Sequence, residues 1–421
     1  MAENLTNSKW HSFQKPLFRV IAAFVLLFVC SFSFPHAYIP DIGSYTHVFF
    51  ERMVQWVGKN ILHIKKPYTI ELVSDSTGMY IHVMILFIVA IVAATLWGVS
   101  DKKASSNYQA NYYWFVAFIR YYVAMQLLVY GWNKIFKWQF YLPEPNTLFT
   151  TLGNTPKDLL YWSTMGMSRS YSVFTGLLEV LAAMFLFFRR TQLLGAFIAA
   201  GVMVNVLMIN LSFDISVKLY SSFLLFLCLL ILFPDAKRIA VFFFSARPIG
   251  PHQSTVQYLL FKKRWLYRTV KTIVIAFLLF DSLAVYLSSK NFNDDKAVRP
   301  YLHGAYSVEA FVVGGDTLLP LTTDTYRWRR MFIHRQGYLI TQLMNDEMKD
   351  YELEIDSLHH EFVMRDPEDS SLHVLHYINT ADSVLELRGR FLDDSLSIYL
   401  KKIDLQKLPL LQNEFQWTID K

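Results

Sequence analysis

Cysteine is nearly missing from this chain of 421 residues: only Cys30 and Cys228 occur, each inside an apolar run, and no CxxC pair is present. That excludes a disulfide framework and a thioredoxin-like dithiol, and both thiols read as buried structural groups. Charge is scarce too, at 18% of residues. The basic excess does not form a nucleic-acid footprint, because it does not sit on a soluble part of the chain. Residues 289–421 hold 22 acidic against 15 basic side chains, so a surplus of +13 belongs to the first 288 residues. Also missing are a nucleotide or flavin glycine pattern, a haem-attachment or iron–sulfur spacing, a zinc-ligand pattern and a nucleophile motif.

Apolar residues are abundant, at 53% of the chain with 35 Phe. A bilayer core about 30 Å thick needs roughly 20 apolar residues per helix. Seven stretches approach that length: Leu17–Phe34, Met79–Gly98, Tyr113–Gly131, Tyr171–Phe188, Gln192–Leu211, Val217–Pro234 and Thr269–Leu287. Lys9, Lys15 and Arg19 precede the run Val20–Phe34 of the first stretch, and no small-residue cleavage pattern follows it, so it reads as an uncleaved helix. Lys and Arg are retained in cytoplasmic loops. Lys102, Lys103, Arg189, Arg190 and the basic stretch Lys237–Lys271 therefore mark the inner side, with the N-terminus cytoplasmic and residues 289–421 periplasmic in a bacterial inner membrane.

The intervening segments divide in character. Residues 35–78 carry His47, Val48, Phe49, Phe50, Met53, Val54 and Val57 near helical spacing, which predicts a short amphipathic helix on the outer surface. Residues 132–170 mix Trp, Tyr and Phe with polar groups, as in an interfacial aromatic belt. Phe242, Phe243 and Phe244, beside Arg247, Lys262, Lys263 and Arg264, fit a segment skimming an anionic leaflet. Solvated positive-inside charge fits the same residues equally well.

Beyond Lys290 the pattern changes to short alternating runs separated by turn residues such as Gly314-Gly315, Asn345-Asp346 and Asp393-Asp394. Eight strands follow from it: Tyr306–Val313, Tyr326–His334, Tyr338–Met344, Tyr351–Ile355, Glu361–Met364, Leu372–Ile378, Val384–Arg388 and Leu396–Lys401. A meander of this kind closes most simply as a small up-and-down barrel, which removes both edges, with an open sandwich as the alternative. The fold class is thus a polytopic α-helical membrane protein with a C-terminal all-β domain. Its divisions are 1–112 (two helices and the outer amphipathic loop), 113–235 (a four-helix core), 236–288 (a basic linker and the last helix) and 289–421 (the β domain).

Ionisable groups at bilayer depth are costly and tend to face a bundle interior, where they pair or serve function. Arg120, Glu179 and Asp281 are such groups, and helical rise places Gln126 and Asn205 at roughly the same depth as the two acids. This polar cluster predicts an Arg120–Glu179 pair, either fixing helix register or forming a substrate, proton or quinone site, with Glu179 the candidate catalytic group. Small residues around Glu179 and before Asn205, among them Gly176, Ala182, Gly195 and Gly201, allow close helix approach. A second set, His82, Lys134, Asp214 and Lys218, gathers toward the outer face. Its members read as snorkelling helix ends or as a shallow pocket opening outward. No metal site is expected. The adjacent His359 and His360 read as surface groups, and His373 and His376 point to opposite faces of one strand.

The text from Tyr113 to Asp235, including IRYYVAMQLLVYGWNK and TGLLEVLAA, resembles the DoxX family of four-helix bacterial membrane proteins. The family's early Arg, its Gly-x-x-Lys and its Glu fall on Arg120, on Gly131 with Lys134, and on Glu179. The resemblance implies a subunit or accessory of a quinone-linked membrane redox process, partnered by lipid and by a redox or envelope protein. A non-enzymatic anchor or assembly factor, whose outer β domain binds an envelope partner or lipid, is the other expectation. Whether the chain is an enzyme, and which cofactor it uses, stay open.

Overall fold

The computed structural model describes residues 13–32, 37–72, 74–101, 108–245, 263–381, 383–391, 394–412 and 417–418. Lys9, Phe34, Lys102, Lys103, Arg247, Lys262 and Asp393, singled out above, lie outside the described residues, as does the Arg264 side chain. The chain divides into two compact units, one of residues 1–136 with 173–290, the other of residues 137–172 with 291–421.

In the first unit, seven helices among the described residues are long and apolar enough to cross a membrane. They are α1 (Gln14–Ser31), α3 (Thr77–Ser100), α4 (Tyr108–Ile135), α7 (Arg169–Phe187), α8 (Gln192–Ser212), the segment Lys218–Phe244 that begins with α9 (Lys218–Leu232), and α11 (Arg264–Ser288). A 3₁₀ turn continues α9 into α10 (Ala236–Phe244), on which Phe242, Phe243 and Phe244 are exposed. The expected amphipathic helix is α2 (Ile42–Asn60), capped by Asp41. Its Val54 and Val57 pack on Ile81 and Ile85 of α3. The central element is α4, 61% of whose apolar window is buried against 22% for α3 and α8. Such uneven burial is what a helix bundle in lipid requires, since the outer helices show their apolar sides to acyl chains. Cys228 is buried within α9, whereas Cys30 is exposed on α1, contrary to the expectation of two buried thiols.

The second unit contains α5 (Pro145–Phe149), α6 (Lys157–Met167) and nine antiparallel strands: β1 (Gly304–Val313), β2 (Asp316–Thr317), β3 (Trp328–Ile333), β4 (Tyr338–Leu343), β5 (Met348–Asp356), β6 (Glu361–Arg365), β7 (Leu372–Ala381), β8 (Val384–Phe391) and β9 (Asp394–Ile403). Consecutive strands pair, and β9 returns to β1, so all the long strands close as an eight-stranded up-and-down barrel. The two-residue β2 turns back on β1 through Gly314 and Gly315, both at positive φ. Alternation sends Leu396, Ile398 and Leu400 of β9 inward, where they meet Phe311, Trp328, Met331, Phe362 and Leu387. Eight strands leave an interior just wide enough for side chains, and large ones fill this one.

Of residues 132–170, expected as an interfacial aromatic belt within the 113–235 division, those from Lys137 onward belong to the barrel unit, which takes in residues 137–172. Phe149 stacks on Phe332 outside the barrel at 5.7 Å, and Gln342 Nε2 donates to Phe149 O at 3.2 Å. That cover buries both faces of β4, which a lone barrel would leave half wet. Glu144 anchors the cover: it accepts from the Arg335 guanidinium and from His303 Nε2 at 3.1 Å. Lys137 adds an ion pair with Asp295 at 2.7 Å and donates to Gly166 O at 2.6 Å.

Candidate functional site

Two glycines bring α4 and α7 together. A Cβ on Gly176 would lie 2.6 Å from Gly131 O, and one on Gly131 would lie 2.7 Å from Val180 Cγ2. Only glycine permits that approach, which sets Lys134, one turn beyond Gly131, against Glu179, one turn beyond Gly176. The Lys134 ammonium donates to both Glu179 oxygens, at 2.6 and 2.7 Å, and the two side chains are 9% and 2% exposed. Lys134 also lies 5.7 Å from the Tyr130 ring centre, a cation–π contact. Near the C-terminal carbonyls of α4 a cation is additionally favoured by the helix dipole.

Tyr130 faces a cavity of about 120 Å³ lined by Phe32, Ser74, Asp75, Met79, Val217, Leu219 and Tyr220 besides itself. An apolar cavity of roughly 150 Å³ accepts a single six-membered ring, so this one is of ring size. Its walls are fixed. Asp75 accepts from the backbone N–H groups of Lys218 and Leu219 at 2.7 and 2.9 Å, capping α9 with a carboxylate from a distant loop. The Tyr220 and Tyr122 hydroxyls meet at 3.0 Å, and Asn210 Nδ2 donates to Ser221 Oγ at 3.0 Å. Tyr122, Gln126, Tyr130 and Lys134 recur every four residues along one side of α4. Gln126 is buried, and its Oε1 has no partner among the described residues. The arrangement offers a ring-sized space with phenols in its wall, next to a buried acid whose charge a lysine balances. It can hold an amphiphile's headgroup and hydrogen-bond a carbonyl or hydroxyl oxygen on it.

The predicted site residues separate. Glu179 is buried in the bundle, but its partner is Lys134 and not Arg120. Arg120 donates to Gln192 Oε1 and, at 3.5 Å, to Phe187 O at the far end of α7. Eight residues of helix, about 12 Å, separate Phe187 from Glu179. Asn205 is exposed on α8 and leaves the cluster; five residues on, a different helix face carries the buried Asn210. Asp281 is buried, yet it accepts from the backbone of Tyr38 at 2.7 Å and Ile39 at 3.2 Å. The outer set separates as well. His82 is buried against Phe50, with Nε2 3.1 Å from Ser31 Oγ, and Asp214 is exposed at a positive-φ turn. Lys218 begins α9, its ammonium 4.0 Å from Asp75. Sequence reasoning missed Tyr130, Tyr220 and Asp75; the four-residue stripe on α4 was the available signal for the first.

Fold and site together define a polytopic helical membrane protein with an appended eight-stranded β-barrel. The chain belongs to the family of a Bacillus subtilis (strain 168) protein described as uncharacterized protein YwoB. The two are 34% identical over 137 residues, which make up 32% of this chain and 86% of that protein. No protein-family model and no solved structure matches the chain.

Proposed function

We propose that the protein is a DoxX-like membrane component of a quinone-linked redox process, as a subunit or an accessory. It binds the ring of a quinone-type amphiphile in the cavity beside Tyr130. The observation that carries this reading is the ring-sized space with the Tyr130 and Tyr220 phenols in its wall, one helical turn from the Lys134–Glu179 pair. A phenol donates to a quinone carbonyl, and the neighbouring acid and ammonium offer a place for a proton near the ring. The protein sits in a bacterial inner membrane with its N-terminus cytoplasmic and its barrel periplasmic, a reading supported by the basic Arg189-Arg190 turn and by Lys237, Arg238, Arg268 and Lys271 on one side of the spans.

The test is extraction of the full chain in mild detergent and mass spectrometry of the lipids it retains. Quinone is expected with the wild type and several-fold less with Tyr130→Phe, the loss of one hydrogen bond being worth about 1 kcal/mol. A wild-type protein without quinone, or equal retention by Tyr130→Phe, rejects the reading.

One observation favours a second reading, an anchor or assembly factor acting through its barrel. Leu372, Val374 and Ile378 form an exposed apolar stripe on the outer side of β7, the barrel interior being filled. On that reading Val374→Lys with Ile378→Lys abolishes the cellular phenotype, while Tyr130→Phe leaves it unchanged.

A further inference from the structure

A different charged cluster lies at the opposite end of α4. Arg120 is 5% exposed, and both its acceptors, Gln192 Oε1 and Phe187 O, are neutral. Its Nε has no partner among the described residues. A buried guanidinium served by amide and carbonyl oxygens and by the Tyr121 ring at 5.8 Å has no anion to balance it among the described residues, which is costly in a bundle. Two more cations are held around the same short turn between α7 and α8. Arg189 lies over the Tyr113 ring at 5.3 Å, and Lys271 over the Phe188 ring at 5.4 Å. Arg120 bonds Phe187, Lys271 covers Phe188 and Arg189 is the next residue, so the three cations attach to three consecutive positions of the chain. Gathering three cations is unfavourable in itself and becomes favourable around a shared anion.

We propose that Arg120, Arg189 and Lys271 hold the phosphate of an anionic lipid headgroup. Guanidinium forks give paired hydrogen bonds to phosphate oxygens, and an ammonium adds a point charge. The Tyr121 ring lies 5.8 Å from the Arg120 guanidinium and the Tyr113 ring 5.3 Å from that of Arg189, which places two phenols beside the same position. A lipid is favoured as the carrier because Phe188, whose ring lies under Lys271, is exposed and offers contact to acyl chains. This cluster is independent of the cavity beside Tyr130.

The experiment is native mass spectrometry of the full chain, released from micelles containing equal phosphatidylglycerol and phosphatidylcholine, with inorganic phosphate as a third arm. The wild type retains the anionic lipid about tenfold over the zwitterionic one, equivalent to about 1.4 kcal/mol. The Arg189→Gln/Lys271→Gln variant, in which Arg120 and its helix contacts are kept, loses that preference. A wild type that retains both lipids equally, or a variant with unchanged preference, overturns the proposal. Displacement of the lipid by millimolar inorganic phosphate overturns lipid as the carrier.

Discussion

Lys134 and Glu179 show how a single contact organises a bundle. Removing one partner of a buried ion pair leaves the other charged and unsolvated, at a cost of about 3–5 kcal/mol, whereas replacing both by apolar groups is often neutral. Glu179→Gln is therefore expected to lower the melting temperature of the detergent-solubilised chain sharply, and Lys134→Met/Glu179→Leu to restore most of it. Equal loss in the single and double variants would deny the pair. Glu179 was legible in the sequence as a lone acid in an apolar run, but its partner was not. Lys134 lies near a helix end, where a lysine normally snorkels to water. Arg120 was assigned to Glu179 because a long side chain could bridge the depth expected between them. Its guanidinium points the other way along the bundle and reaches the turn between α7 and α8, about 12 Å of helix from Glu179.

Among elements, the α4–α7 approach and the cover on the barrel carry the most. Gly176→Ala drives a methyl group to 2.6 Å from Gly131 O, so it is expected to cost about 1–3 kcal/mol. Gly201→Ala, with nothing within 4 Å of the new atom, leaves the melting temperature unchanged. The cover is pH-sensitive through Glu144. Burial raises its pKa, but the His303 hydrogen bond and the Arg335 and His334 charges outweigh this and bring it down from 4.5 to about 2. A depressed carboxylate pKa contributes stability that is complete above about pH 4.5 and is lost as pH falls toward 2, here about 3 kcal/mol. Hydrogen exchange in residues 137–172 of the full chain should accelerate over that window and not in Glu144→Gln, which is already weakened at neutral pH. The eight long strands and α2 were legible because their periods are local. The docking of residues 137–172 on β3 and β4 was not, since pairing between Glu144 and Arg335, 191 positions apart, leaves no periodic trace.

At the scale of the whole molecule, the seven helical segments of spanning length among the described residues and the closed barrel follow from the two hydrophobic periods in the sequence, 3.6 and 2. Positive-inside charge predicts that a reporter fused after Lys421 is active only outside the cytoplasm; activity inside would invert the topology. On the proposed function, the space beside Tyr130 receives a ring. The most direct measurement of this is an equilibrium titration of the purified full chain with a water-soluble short-chain quinone, read by quenching of protein fluorescence. One saturable site is predicted for the wild type, together with its loss in Leu219→Trp, which fills the cavity while the Lys134–Glu179 pair is kept. Undiminished binding in that variant would contradict the claim.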